Sequence, residues 1–215
     1  MDSIDPRPEC PASACSIAGS VFLVGMMGAG KTSVGRLLAH RLNKRFVDAD
    51  HEIEVRCGVT IPVIFEIEGE AGFRQRERAI IDELTTLPDI VLATGGGAVL
   101  AEDSRQHLRN RGLVVYLKAP AHEIWQRTRR DRNRPLLATD DPHRRIVELL
   151  TARDPLYAEV AHLTVESTHD SLKSMVNRLV ERIESRTCGV PGRASDNALV
   201  GAAVAATPAD ASDAR

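Results

Sequence analysis

Apolar and polar positions along the chain alternate between two periods. Ser20 to Gly25 (SVFLVG) is a short apolar run, the pattern of a strand buried on both faces. KTSVGRLLAHRL then puts Val34, Leu37, Leu38 and Leu42 on one face of a helix, and RFVD reads as a second strand. From His51 to about Leu87 the pattern is helical, with breaks near Gly58 and near Gly69–Gly72. Thr60 is placed to cap a helix whose first turn holds Pro62. DIVLATGGG is a third strand stopping at three glycines, SRQHLRNRG a helix, LVVYLK a fourth strand and AHEIWQRTRR a helix. DRNRPLLATDDPHR is polar and irregular; RRIVELLTARDPLY is helical, HLTVES a fifth strand and SLKSMVNRLVERIES a last helix. Strands alternating with helices predict an α/β fold of three layers, a parallel sheet with helices on both faces.

The 215 residues suffice for one such domain. Residues 1–19 read as a disordered leader, 20–186 as the folded body and 187–215 as a disordered tail of Gly, Pro, Ala, Ser and Asp with little to bury. A formal net charge of −2 gives no global attraction for nucleic acid. Cys10, Cys15, Cys57 and Cys188 have neither zinc-site spacing nor the density of a disulfide framework, which predicts free thiols in a reducing compartment. The start lacks the basic and apolar regions of a signal peptide, and no apolar run approaches the ~20 residues of a membrane helix. A cytoplasmic protein is expected.

Candidate chemistry sharpens this picture at GMMGAGKT, Gly25 to Thr32. It fits G-x-x-x-x-G-K-[ST] between a strand and a helix, the context that a phosphate-binding loop requires. Backbone N–H groups and the helix N-terminus cradle phosphates, Lys31 reaches the outer ones, and the Thr32 hydroxyl is a Mg²⁺ ligand. Lysine is otherwise scarce, with only Lys44, Lys118 and Lys173 elsewhere. The third strand ends in Thr94 and glycine, not in the aspartate that would hold the metal, so that carboxylate must come from elsewhere.

Asp48 and Asp50 end the second strand, and alternation in a strand would point them the same way. One can serve Mg²⁺ while the other faces a hydroxyl acceptor; the plainer alternative is that Asp50 caps the helix starting at His51. Ligands of such sheets sit beyond the carboxyl ends of the strands, where the phosphate loop, the two aspartates and Gly95–Gly97 all fall. Arg74 in GFRQRE and Arg153 in RDPLY are candidate anion binders. RTRRDRNRP concentrates Arg127, Arg129, Arg130, Arg132 and Arg134. Without interleaved aromatics, it suits an arginine-bearing lid over ATP, residues about 129–143, better than an RNA-binding patch.

Taken together, GMMGAGKTSVGRLLA, FVDAD, GFRQRE, ATGGGAV, VVYL, RPLL and RDPLY resemble the shikimate kinase family in order and spacing, over about Ser20 to Ser185. The resemblance implies a P-loop kinase fold of the nucleoside-monophosphate-kinase type, with a five-stranded parallel sheet ordered 2-3-1-4-5. It also implies transfer of the γ-phosphate of ATP to the 3-hydroxyl of shikimate, in the chorismate and aromatic amino acid pathway. By that resemblance Gly28, Ala29, Gly30, Lys31, Thr32 and Ser33 cradle ATP, with Mg²⁺ on Thr32 and, through water, on Asp48. Asp50 holds the substrate hydroxyls, Arg74 and Arg153 clamp the carboxylate, and the backbone of Gly95, Gly96 and Gly97 lies nearby. Arg134 descends from the lid, Arg127 stacks on adenine, and a late ATP contact falls near Thr168–Asp170. A monomer acting on two small molecules is expected, with no nucleic-acid or membrane partner. The rival readings are a sibling such as a gluconate kinase, which also carries D-x-D here, and a nucleotide-binding module without catalysis.

Overall fold

The computed structural model describes residues 19–129, 134–137, 139–167 and 171–188. The expected leader up to residue 18, the tail from 189, the Thr168–Asp170 contact, and residues 130–133 and 138 of the lid lie outside them.

Among the described residues, five strands alternate with seven helices in chain order: β1 (Val21–Val24), α1 (Lys31–Leu42), β2 (Arg45–Asp48), α2 (Ala49–Cys57), α3 (Ile61–Leu84), β3 (Ile90–Ala93), α4 (Glu102–Arg111), β4 (Leu113–Lys118), α5 (Ala121–Thr128), α6 (Pro142–Val160), β5 (Leu163–Glu166) and α7 (Leu172–Cys188). A short 3₁₀ turn at Pro135–Leu137 precedes α6. The strands form one parallel sheet, as their alternation with helices predicted, in the order β2-β3-β1-β4-β5 that the family resemblance implied.

Both faces of the sheet are buried, which explains the continuous apolar runs. Val21, Leu23, Val91, Val115 and Leu117 point to one face, where they pack with Val34, Leu38, Ile124, Ile146, Met175, Val176 and Leu179. Phe22, Val24, Leu92, Val114 and Tyr116 point to the other, against Ile53, Phe73, Ile81, Leu108 and Tyr157. β5 is one of the two edge strands: Leu163 and Val165 are buried, while Thr164 and Glu166 are exposed. On α1, Val34 and Leu38 sit fully in the core, whereas Leu37 and Leu42 are only partly covered.

The helix breaks fall where glycine was expected to place them. Gly58 ends α2 in the left-handed region, and α3 is interrupted at Gly69, whose φ of 69° and ψ of −177° are not helical. Thr60 is the N-cap of α3, but its side chain makes no cap bond; Glu54 Oε1 accepts from the Ile61 N–H instead, at 2.9 Å. No helix among the described residues is long and apolar enough to cross a membrane.

Candidate active site

β1 hands the chain to the phosphate loop beyond the carboxyl end of the sheet. Gly25 is there because a Cβ would stand 2.6 Å from Leu117 O, and Gly30, the N-cap of α1, has a φ of 93° that disfavours any side chain. Lys31 is buried and its Nζ donates to Gly25 O at 2.7 Å and Met26 O at 3.0 Å, folding the amine back over the loop. Burial lowers its pKa to about 8, a fall that Asp50 opposes. Thr32 Oγ1 donates to Asp48 Oδ2 at 2.7 Å. Ser33 is exposed in the first turn of α1.

The two aspartates divide their work differently from the strand-based expectation. β2 ends at Asp48 and α2 begins at Ala49, so Asp50 lies in a helical first turn and strand alternation does not govern it. Asp48, not Asp50, is the cap: its Oδ1 accepts from the Asp50 N–H at 3.1 Å and the His51 N–H at 3.4 Å. That leaves Asp50 with a buried, unpartnered Oδ1. Its pKa is pushed up to about 6, first by burial and then by the Glu77 carboxylate, against the pull of Lys31.

The loop after β3 passes through this charge cluster. A Cβ on Gly95 would overlap the Glu77 carboxylate and stand 2.7 Å from Asp50 Oδ1; one on Gly97 would overlap the Arg74 guanidinium. Arg74 Nη1 donates to Glu77 Oε2 at 2.5 Å, and its Nη2 to Glu70 Oε1 at 2.8 Å. Glu77 is only 2% exposed, and burial raises its pKa despite Arg74. From the far side Arg153, 3% exposed, donates through Nη1 to Gly96 O at 3.2 Å. One cleft is therefore lined by Asp50, Arg74, Glu77, Gly96, Gly97, Arg134 and Arg153, with Phe65, Phe73 and Pro135 as its apolar walls. Three arginines and two carboxylates facing apolar walls suit a small ligand that carries both an anion and hydroxyls.

Arg127 is outside this cleft, at the carboxyl end of β5. Its guanidinium donates to Ser167 Oγ at 3.0 Å, Glu123 Oε2 at 3.2 Å and Gly28 O at 3.4 Å, and Ser167 Oγ donates on to Ala29 O at 3.0 Å. Arg127 is thus tied to the phosphate loop that holds Gly28 and Ala29. For a metal, Thr32 Oγ1 and Asp48 are two adjacent hard oxygen donors, which fits Mg²⁺, an ion that takes one or two protein oxygens and completes its shell with phosphate and water. Among the described residues no group of three or more His, Cys, Asp and Glu could form a fuller cage.

The shikimate kinase family model matches residues 27–184. The chain belongs to the shikimate kinase family. Shikimate kinase of Bordetella pertussis is 56% identical over 165 residues, covering 77% of this chain and 78% of that one. The Ralstonia nicotianae enzyme is 54% identical over 176 residues, 82% of this chain and 93% of its own. Among solved structures, shikimate kinase from Acinetobacter baumannii in complex with shikimate superposes with a TM-score of 0.79 at 48% identity, covering 82% of this chain and 98% of the other. Three residues without a role in the sequence reading bond to the site's own groups: Glu77 lines the cleft beside Arg74, Tyr157 donates to the Gly96 carbonyl, and Ser167 donates to Ala29 of the phosphate loop. Glu77 lies at i+3 from Arg74 and Tyr157 at i+4 from Arg153, a spacing that puts each beside its arginine on one helix face. That spacing is at most a weak signal for Glu77 and Tyr157, because the same pattern also marks solvated helix faces.

Proposed function

We infer that the chain phosphorylates shikimate on its 3-hydroxyl, using ATP and releasing ADP. What carries this reading is the convergence of Arg74, Arg153 and Asp50 on the Gly95–Gly97 loop, beside a phosphate loop, in a member of this family. Identities of 54–56% to shikimate kinases do not favour the gluconate kinase alternative. The Asp50 carboxylate speaks against a module without catalysis.

In this reading Gly28, Ala29, Gly30, Lys31, Thr32 and Ser33 hold the ATP phosphates with backbone N–H groups and the start of α1. Lys31 leaves the Gly25 and Met26 carbonyls to meet the outer phosphates. Thr32 and Asp48 hold Mg²⁺, which when bound neutralises charge between the phosphates. Arg74 and Arg153 grip the shikimate carboxylate, and the Gly95, Gly96 and Gly97 backbone closes on the ring. Asp50, ionised above about pH 6, accepts the hydrogen of the attacking hydroxyl and orients its oxygen towards the γ-phosphorus. Arg134 faces the transferred group across the cleft, and Arg127 offers its guanidinium face to the adenine.

Positioning and charge neutralisation supply most of the catalysis in phosphoryl transfer, and this set provides both. Closure of residues 129–143 would exclude water and limit ATP hydrolysis. Every group the reaction needs comes from one chain, so we take the working form to be a monomer. Acceptor-dependent ADP release tests the whole reading.

A further inference from the structure

Arg153 and Tyr157 lie one helical turn apart on α6 and reach the same atom. Arg153 Nη1 donates to Gly96 O at 3.2 Å, and the Tyr157 hydroxyl donates to it at 2.5 Å. A carbonyl oxygen has two lone pairs, so both bonds can form at once. The Tyr157 ring is fully buried and cannot swing away. It stacks on Tyr116 with ring centroids 5.1 Å apart. Tyr116 is itself held by its hydroxyl, which donates to Asp154 Oδ1 at 2.5 Å, and Lys118 Nζ donates to Asp154 Oδ2 at 3.2 Å. Burial pushes the Tyr157 hydroxyl up to about 12, so it stays a donor throughout the working range.

The consequence lies in the peptide that Tyr157 holds. The Gly96–Gly97 bond is trans, so a carbonyl drawn onto α6 sends the Gly97 N–H the other way. Gly97 packs against the Arg74 guanidinium, and both line the cleft. Two glycines in succession have no side chains to hold a peptide orientation, so it must be imposed from outside.

We propose that Tyr157 is a positioning residue for recognition of the acceptor's carboxylate: its hydroxyl fixes the Gly96 carbonyl on α6 and seats Arg153 on the same atom. The backbone of the glycine loop and the two arginines then form one preorganised anion clamp. This rests on the shikimate kinase reading, in which Arg74 and Arg153 take the carboxylate.

Tyr157→Phe keeps the ring and its stack on Tyr116 and removes the hydroxyl, with its bond to Gly96 O and its weaker contact to Met26 Sδ at 3.9 Å. It is expected to raise KM for shikimate about tenfold, the worth of one hydrogen bond, with kcat and KM for ATP within about twofold. A competing analogue with hydroxymethyl in place of the carboxylate should bind Tyr157→Phe and the unmodified protein alike. Tyr116→Phe, which cuts the bond to Asp154 but leaves Gly96 untouched, should leave KM for shikimate within about twofold. An unchanged KM for shikimate in Tyr157→Phe, equal weakening of the analogue, or an equal rise in KM for ATP would overturn the assignment while the shikimate reading stands. Failure of the unmodified protein to turn over shikimate at all would overturn both.

Discussion

Asp50 Oδ1 and Glu77 Oε1 are both buried, both without a hydrogen-bond partner, and both turned towards the same face of Gly95. Neighbouring cations, Lys31 for one and Arg74 for the other, only partly offset that burial, so both carboxyls stay above their ordinary pKa range. Gly95 is the gap between them. Gly95→Ala puts a methyl into that gap, so the carboxylates must move. Overpacking of this kind costs about 1–3 kcal/mol, and misplacement of a reacting group by an ångström costs on the order of 10²-fold in rate. The expected outcome is a loss of kcat/KM for shikimate much larger than the loss in Tm. Wild-type kinetics in this variant would show that Asp50 does not need its present position.

Asp50→Asn should separate stability from activity. The pKa of Asp50 rises from an ordinary 3.8 to about 6 on folding, so the protonated form favours the fold. That contribution is complete below 3.8 and is lost as pH rises through about 6. At pH 7.5 the ionised carboxylate therefore opposes folding, and asparagine removes the opposition. Turnover should fall by orders of magnitude while ATP binding persists and Tm at pH 7.5 rises by a few degrees. Calorimetry at pH 7.5 and pH 4 checks this, since the gain should shrink at the lower pH. A fall in Tm at pH 7.5 contradicts the account.

Arg74→Ala and Arg153→Ala should each raise KM for shikimate by about ten- to hundredfold, the range for a hydrogen bond to a charged group, with little change in KM for ATP. Arg74→Ala should also lower Tm, because Glu77 loses its ion-pair partner inside the protein. Steady-state kinetics with each substrate varied in turn makes the measurement. An effect confined to ATP would remove these arginines from the acceptor clamp.

The pH profile of the free enzyme should have two limbs. Below about pH 6 Asp50 takes up a proton and can no longer accept one from the hydroxyl. Above about pH 8 Lys31 loses the charge that the phosphates require. kcat/KM should fall on both sides, and a flat profile from pH 5 to 9 would assign neither group its role.

Strand positions were legible because both faces of the central strands are buried and the first three strands end in chemically marked loops; the sheet order came only from the family resemblance. GMMGAGKT, VDAD and TGGG all fall at carboxyl ends, so their convergence followed from topology alone. The aspartate pair was misread in detail: the helix starts at Ala49, one residue after the strand ends, and the cap passes to Asp48. Glu77 was invisible for another reason. A glutamate three residues from an arginine usually marks a solvated helix face, and only the close approach of Gly95 shows that it is buried. Ser167 has no local signal; its role comes from β5 ending beside the phosphate loop.

The most direct test of the central claim is ADP release by the purified chain with Mg²⁺ and ATP, comparing shikimate, gluconate and no acceptor. The account expects fast turnover with shikimate, little above background with gluconate, and slow ATP hydrolysis without an acceptor. Turnover with gluconate but not shikimate, or none that depends on an acceptor, would contradict it.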